Sequence, residues 1–322
     1  MAQDDLYDAS FVACLGQGGF HRMAYRQWGP ADGRGVVVCV HGLTRNAGDF
    51  DDLAAALAAQ GWRVVCPDVV GRGASDRLTD PTGYVLPQYA ADMAVLIARL
   101  EVERVHWVGT SMGGLIGLAL AAQAGTPLVS LVLNDIGPIV PRAALAAIAD
   151  YVEQSPLLPD LEAAEALLRE RYAATGPLSD TDWRRLAQQS TRQVEGGYRL
   201  AYDPAIAVPF REAAEADIDL WGLWDRVACL TEMSGTSDTC RVVGTPPARK
   251  DLAGPAGGVS CPILVLRGTQ SPVLTAETAR EMIRRNPGAR LVEVAGGHAP
   301  WLKSADEISL ISDWLASHRE DS

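Results

Sequence analysis

The sequence has no apolar run near the roughly 20 residues that a membrane-spanning helix needs, so no membrane partner is expected. It has no basic surplus either: Lys and Arg number 28 against 40 Asp and Glu, for a formal net charge of −12. Binding of nucleic acid begins with a cationic face, so a phosphate-backbone partner is not expected. Six cysteines, at 14, 39, 66, 229, 240 and 261, form no C-x-x-C pair and no metal-like spacing. That argues against a zinc site or a disulfide framework. Cys39 and Cys66 fall inside apolar runs, where a reduced thiol packs as a small hydrophobe. The first ten residues, "MAQDDLYDAS", lack a basic segment followed by an apolar one, so no secretory leader is read and a cytoplasmic location is expected.

What remains is globular in composition: 48% hydrophobic and 21% charged over 322 residues, enough for one large domain with an inserted subdomain. Short β-rich runs alternate with Ala/Leu-rich helical ones, the pattern of a parallel sheet covered by helices. Strands are expected at 35–42, 61–71, 104–111, 128–138, 261–268 and 289–297. Helices are expected near 47–60, 88–100, 112–124, 275–286 and 304–318. "SFVACLG" and "HRMAYRQWG" read as an antiparallel pair at the sheet edge. Between 139 and about 217 only helical patterns are read, which predicts an all-helical cap (139–217) between two core segments, 1–138 and 218–322. Residues 231–260, rich in Gly, Pro, Ser and Thr with no apolar period, read as a long loop insertion on the face away from the carboxyl ends of the strands.

Three stretches carry chemistry. "GTSMGG" (109–114) follows an apolar run, precedes a helix, and fits G-x-S-x-G with Gly109, Ser111 and Gly113. A serine there sits on a strained strand-to-helix turn that lifts its hydroxyl above the sheet, and side chains at the flanking positions would collide. "VHGLTRN" (40–46) ends another strand; its turn is expected to aim the Leu43 N–H at the same oxyanion as the Met112 N–H. A histidine must reach Ser111. His21 and His106 lie in strands, His41 reads as a brace of its own turn, and His318 suits the end of the last helix. His298 remains, in the "GGHAP" loop after the last strand, where a mobile general base is expected.

With "PDVVGRGASD" and "LVLNDIGP", these stretches resemble the α/β-hydrolase superfamily, its bacterial esterase-like members in particular, over nearly the whole chain except 231–260. The resemblance implies a central, mostly parallel eight-stranded sheet flanked by helices, a helical cap after strand six, and no cofactor. It also implies a third triad member in the turn after strand seven. That turn reads "GTQSP", and Pro272 stands where the acid would be. Some members place the acid after strand six instead, where this chain has Asp135. Asp135 is therefore the candidate acid, with a turn-capping role as the alternative. Glu277 is a weaker rival, Asp68 reads as structural, and Gln270 cannot balance a histidine's charge. Trp183, Tyr172, Tyr198 and Tyr202 of the cap either line an apolar pocket or pack within it.

The function expected from this set is a serine hydrolase cleaving small acyl esters or lactones through an acyl-enzyme, with a small-molecule ester as partner and a monomer or homodimer as assembly. C–C hydrolysis and perhydrolysis use the same parts. A catalytically impaired ligand-binding protein of this fold is the alternative that Pro272 motivates.

Overall fold

Valine and leucine dominate the central strands, and they are buried along their whole length. Val36–Val40 and Leu128–Asn134 contain no exposed position, as expected where helices cover both faces of a sheet. A computed structural model describes residues 7–213, 216–233 and 261–319. Its strands are β1 (Asp8–Gly16), β2 (Gly19–Trp28), β3 (Val36–Val40), β4 (Arg63–Pro67), β5 (Val105–Thr110), β6 (Leu128–Asn134), β7 (Ile139–Val140), β8 (Thr191–Val194), β9 (Gly197–Leu200), β10 (Ile218–Asp219), β11 (Ile263–Gly268) and β12 (Arg290–Val294). Eight of them form one sheet in the order β1-β2-β4-β3-β5-β6-β11-β12. The β1–β2 hairpin is antiparallel and joins β4 antiparallel; every pairing from β4 onward is parallel. The expected mostly parallel eight-stranded sheet, with its antiparallel edge pair, is present.

Alternation along the strands divides the core into two layers. Val36, Val38 and Val40 face one cluster, with Met93 and Leu96 of α2 (Leu86–Arg99) and Ile116 and Leu118 of α3 (Met112–Ala121). Val37 and Cys39 face the other, with Leu53 and Leu57 of α1 (Asp51–Ala59) and Trp314 and Leu315 of α10 (Ala305–Ser317). Cys14, Cys39, Cys66 and Cys261 are buried free thiols. Among the described residues no helix is long and apolar enough to cross a membrane.

Between β6 and β11 the chain runs through α4 (Arg142–Glu153), α5 (Leu161–Tyr172), α6 (Asp180–Gln189), α7 (Val208–Ala213) and α8 (Trp221–Met233), before α9 (Ala276–Arg285) follows β11. This stretch is not all-helical, contrary to the sequence reading: β8 and β9 form an antiparallel hairpin, and β7 pairs with β10. The reason lies in "TRQVEGGYRL". Gly196 takes φ 82° at the turn, and Gly197 takes φ 147° where a Cβ would lie 2.1 Å from the Leu158 carbonyl oxygen. Tyr198 then exchanges both backbone hydrogen bonds with Leu158, at 2.7 and 2.9 Å. Residues 231–233, read as the start of the loop at 231–260, belong instead to α8, which runs to Met233; the rest of that reading, residues 234–260, lies outside the described residues.

The hairpin depends on the missing side chain of Gly197. Gly197→Ala is expected to lower stability by about 1–3 kcal/mol, the range for a non-glycine residue forced into sparsely allowed backbone. Urea denaturation of the variant beside wild type measures it, and an unchanged midpoint would show the hairpin free to shift.

Candidate active site

The turn at Ser111 is built by its neighbours' lack of side chains. β5 stops at Thr110 and α3 begins at Met112, leaving Ser111 at φ 50°, ψ −114°. A Cβ on Gly113 would lie 2.0 Å from the Val40 carbonyl oxygen, and one on Gly109 would lie 2.3 Å from that of Gly113. Only glycine permits the turn to press this closely on β3. The Ser111 amide donates to the Asn134 carbonyl at 2.9 Å, and its own carbonyl accepts from Gly114 and Leu115 at 2.9 and 3.1 Å. A serine at a helix N-cap ordinarily accepts from the first-turn amides. Ser111 makes no such side-chain bond, and its hydroxyl lies 2.9 Å from His298 Nε2 instead.

The other ring nitrogen of His298 lies 2.6 Å from Asp135 Oδ2. A carboxylate accepts, so Nδ1 carries the proton and Nε2 is left to accept from the serine. Asp135 follows β6 at φ 57° and is 0% exposed. Its carboxylate meets four donors: the Gly268 amide at 2.7 Å, the Ser271 hydroxyl at 2.5 Å, the Ala299 amide at 3.2 Å and the imidazole. The structure thus brings Ser111, His298 and Asp135 together. It also explains the turn at 268–272: no carboxylate comes from beside Pro272, and Ser271 reaches across to the acid of the neighbouring strand. The sequence reading assigned Ser271 no role. Its only signal was a small hydroxyl beside the position where the acid was missing.

The rivals fall elsewhere. Glu277 sits in the first turn of α9. Asp68 is buried and accepts from the Ala47 and Ala74 amides, both at 2.8 Å, joining two loops. Gln270 is exposed.

The loop of His298 is held from two sides. Asn134 Nδ2 donates to the Pro300 carbonyl at 2.8 Å and to Thr110 Oγ1 at 3.0 Å, linking the loop to the serine turn. Gly296 and Gly297 admit the backbone of 174–175, whose carbonyl oxygens would lie 2.5 and 2.1 Å from any Cβ there.

The turn after β3 is braced as the sequence reading expected. His41 is 0% exposed; Nδ1 lies 2.7 Å from the Gly42 carbonyl, and Nε2 accepts from the Val69 amide at 3.0 Å. Acceptance at Nε2 needs the neutral ring, and burial lowers its pKa to about 3, with the Gly42 carbonyl opposing and the charges of Arg72 and Arg45 assisting. Arg72 Nε donates to the Leu43 carbonyl at 2.8 Å, fixing that peptide. A Cβ on Gly42 would lie 3.7 Å from Ser111 Cβ, so this turn and the serine turn adjoin. Among the described residues no hydrogen bond takes up the N–H of Leu43 or of Met112.

Ser111 and His298 open into a cavity of 440 Å³, within the usual size range of small-molecule sites. Of the four aromatics that the sequence reading placed in a cap, Tyr172 lines it, with its hydroxyl 2.9 Å from Thr44 Oγ1. Trp183 stands behind, edge-on to the lining residue Trp301 at 6.3 Å, while Tyr198 and Tyr202 do not line the cavity. Ile148, Tyr151 and Arg171 line it too, brought there by the placement of α4 and α5. One group of metal-ligand types, Cys14, His21 and Asp92, lies apart from this cavity. There His21 Nε2 is 2.9 Å from Asp92 Oδ2, and burial pushes the Cys14 thiol up to about 12, so it stays protonated.

A doubly covered parallel sheet with a serine, histidine and aspartate at its strand ends is a hydrolase arrangement. The chain belongs to the alpha/beta hydrolase fold family, whose model matches residues 35–304. It is 39% identical over 311 residues to the 3-hydroxybutyrate-oligomer hydrolase of Cupriavidus necator, covering 93% of this chain and 94% of that one. It is 29% identical over 278 residues to the 2-(acetamidomethylene)succinate hydrolase of Mesorhizobium japonicum, covering 85% of each. Among solved structures, an alpha/beta hydrolase from Novosphingobium aromaticivorans superposes with a TM-score of 0.77 at 34% identity, covering 96% of this chain and 98% of that one.

The buried neutral state of His41 has a consequence for stability. Below about 6.5 the unfolded chain takes up a proton at this residue and the folded protein does not. Its contribution is therefore full above 6.5 and falls as pH drops toward 3, at up to about 1.4 kcal/mol per pH unit. Between pH 7 and pH 5, denaturation should show wild type losing about 1–2 kcal/mol more stability than His41→Gln. Equal losses would contradict the brace.

Proposed function

We propose that the chain is a carboxylic ester hydrolase that cleaves short oligoesters of hydroxyacids through an acyl-enzyme on Ser111. The observation that carries this is the continuous relay from Ser111 Oγ through His298 to the buried Asp135 carboxylate. His298 Nε2 accepts the serine proton as Oγ attacks the ester carbonyl, and Asp135 stabilises the imidazolium that results. The Leu43 and Met112 amides receive the oxyanion, each worth roughly 3 kcal/mol by the usual scale of such donors. The imidazolium protonates the departing alcohol; water, deprotonated by the same nitrogen, then releases the acid. No step needs a cofactor.

The substrate class follows from the cavity and the relative together. A space of 440 Å³ holds a few small units and no polymer. The Cupriavidus necator relative, by its name, hydrolyses 3-hydroxybutyrate oligomers. We assign residues 139–217 the role of a cap: Ile148, Tyr151 and Tyr172 roof the cavity, and 174–175 hold the histidine loop. Buried reduced thiols fit a cytoplasmic setting.

Two measurements test the reading. A fluorophosphonate probe should label wild type at Ser111 and leave Ser111→Ala unlabelled, and linear 3-hydroxybutyrate dimer and trimer should be hydrolysed by wild type alone. Labelling without turnover on these and other short acyl esters would overturn the ester assignment. Failure to label folded protein would favour a ligand-binding role.

A further inference from the structure

Two arginines line the cavity, and they are not equivalent. Arg45 is buried and already neutralised: its guanidinium meets both carboxylate oxygens of Asp49 at 2.5–3.1 Å, and Nη1 donates to Ser190 Oγ at 2.8 Å. Arg171, in the last turn of α5, has no carboxylate partner among the described residues. Its bonds run to neutral acceptors, from Nη1 to the Tyr202 hydroxyl at 3.3 Å and from Nη2 to the Gln154 carbonyl at 2.7 Å. A guanidinium has five N–H donors, so these two contacts leave capacity for a planar acceptor. Its carbon lies 5.6 Å from the centroid of the Tyr151 ring, which holds it at the cavity wall.

Charge makes the placement informative. In a chain of net charge −12, with 40 carboxylate residues available as partners, an arginine in the reaction cavity without one is a gap in the pairing. The surrounding negative field also works against an anionic substrate unless a local cation receives it. Among the other arginines of this region, Arg185 pairs with Asp52 and Arg169 with Glu165 and Asp180, while Arg199, which does not line the cavity, donates to the Ser155 carbonyl at 2.7 Å.

We propose that Arg171 is the carboxylate-binding subsite of the reaction cavity and selects substrates that end in a free carboxylate. The inference rests on the ester-hydrolase reading above. In a linear hydroxyacid oligoester the free carboxylate belongs to the unit whose hydroxyl is esterified, so Arg171 holds the alcohol half. When Ser111 Oγ bonds to the carbonyl carbon and the C–O bond breaks, that half leaves as a hydroxy-carboxylate carrying the proton from His298. Arg171 therefore acts on acylation, and the released hydroxyacid competes with substrate for it.

The test compares linear 3-hydroxybutyrate dimer with its terminal carboxamide, which keeps the size of the terminal group and removes its charge. Wild type should prefer the free acid in kcat/KM by roughly ten- to hundredfold, the usual worth of a charge-assisted hydrogen bond. Arg171→Gln should bring the ratio close to one, and Arg171→Lys should keep part of it. On wild type alone, which removes any doubt about folding, 3-hydroxybutyrate should inhibit competitively and its amide should not. Equal rates on the two substrates, or a preference that survives Arg171→Gln, would overturn the assignment of Arg171 while leaving the hydrolase reading standing. Wild type inactive on both would overturn the reading beneath it.

Discussion

A single buried carboxylate organises the site. Asp135 is fully enclosed, and an unpaired charge there would carry a heavy desolvation cost. Four donors meet it, two from the turn after β11 and two from the loop after β12. Satisfying one charge thus draws three strand ends to a point above the sheet. Asn134, its neighbour in sequence, extends the tie to the serine turn through Thr110. The positive φ of Asp135 is strain held in place by these bonds, as is common where function needs a set geometry.

The same arrangement accounts for the unusual turn at 268–272. Strand seven supplies no carboxylate to His298, and under the proposed function Asp135, after strand six, is reached across one strand spacing. The turn contributes what such a carboxylate lacks, a backbone amide from Gly268 and a hydroxyl from Ser271. On this account Pro272 marks a relocated acid, and the ligand-binding alternative loses its motive. Around this fixed point the rest of the cavity is mainly apolar, with one charge left open at Arg171.

How much could be read in advance depended on how local each constraint is. The serine turn was legible because its glycine spacing lies within six residues, between an apolar run and a helix, even though the contact that demands Gly113 comes from Val40 of β3. His298 was legible by elimination, since two strands, the turn after β3 and a helix end accounted for the other histidines. Asp135 could be named only as a candidate, because its place beside His298 is set by the pairing of β6 with β11, a contact between residues some 130 apart in sequence. Ser271 and Arg171 were beyond reach for the same reason: nothing nearby in the sequence says which neighbours the fold brings to them. The hairpin at Thr191–Leu200 was a different failure. Its Gly-Gly turn between Thr, Val and Tyr was visible, but the strong helical pattern upstream set the reading for the whole stretch.

The most direct measurement is hydrolysis of the 3-hydroxybutyrate dimer by Asp135→Asn beside wild type, with a denaturation curve to establish that the variant folds. An amide keeps the shape and removes the charge that stabilises the imidazolium. The account predicts a fall in kcat of about 10⁴. A folded Asp135→Asn that retains wild-type turnover would contradict it and place the acid elsewhere.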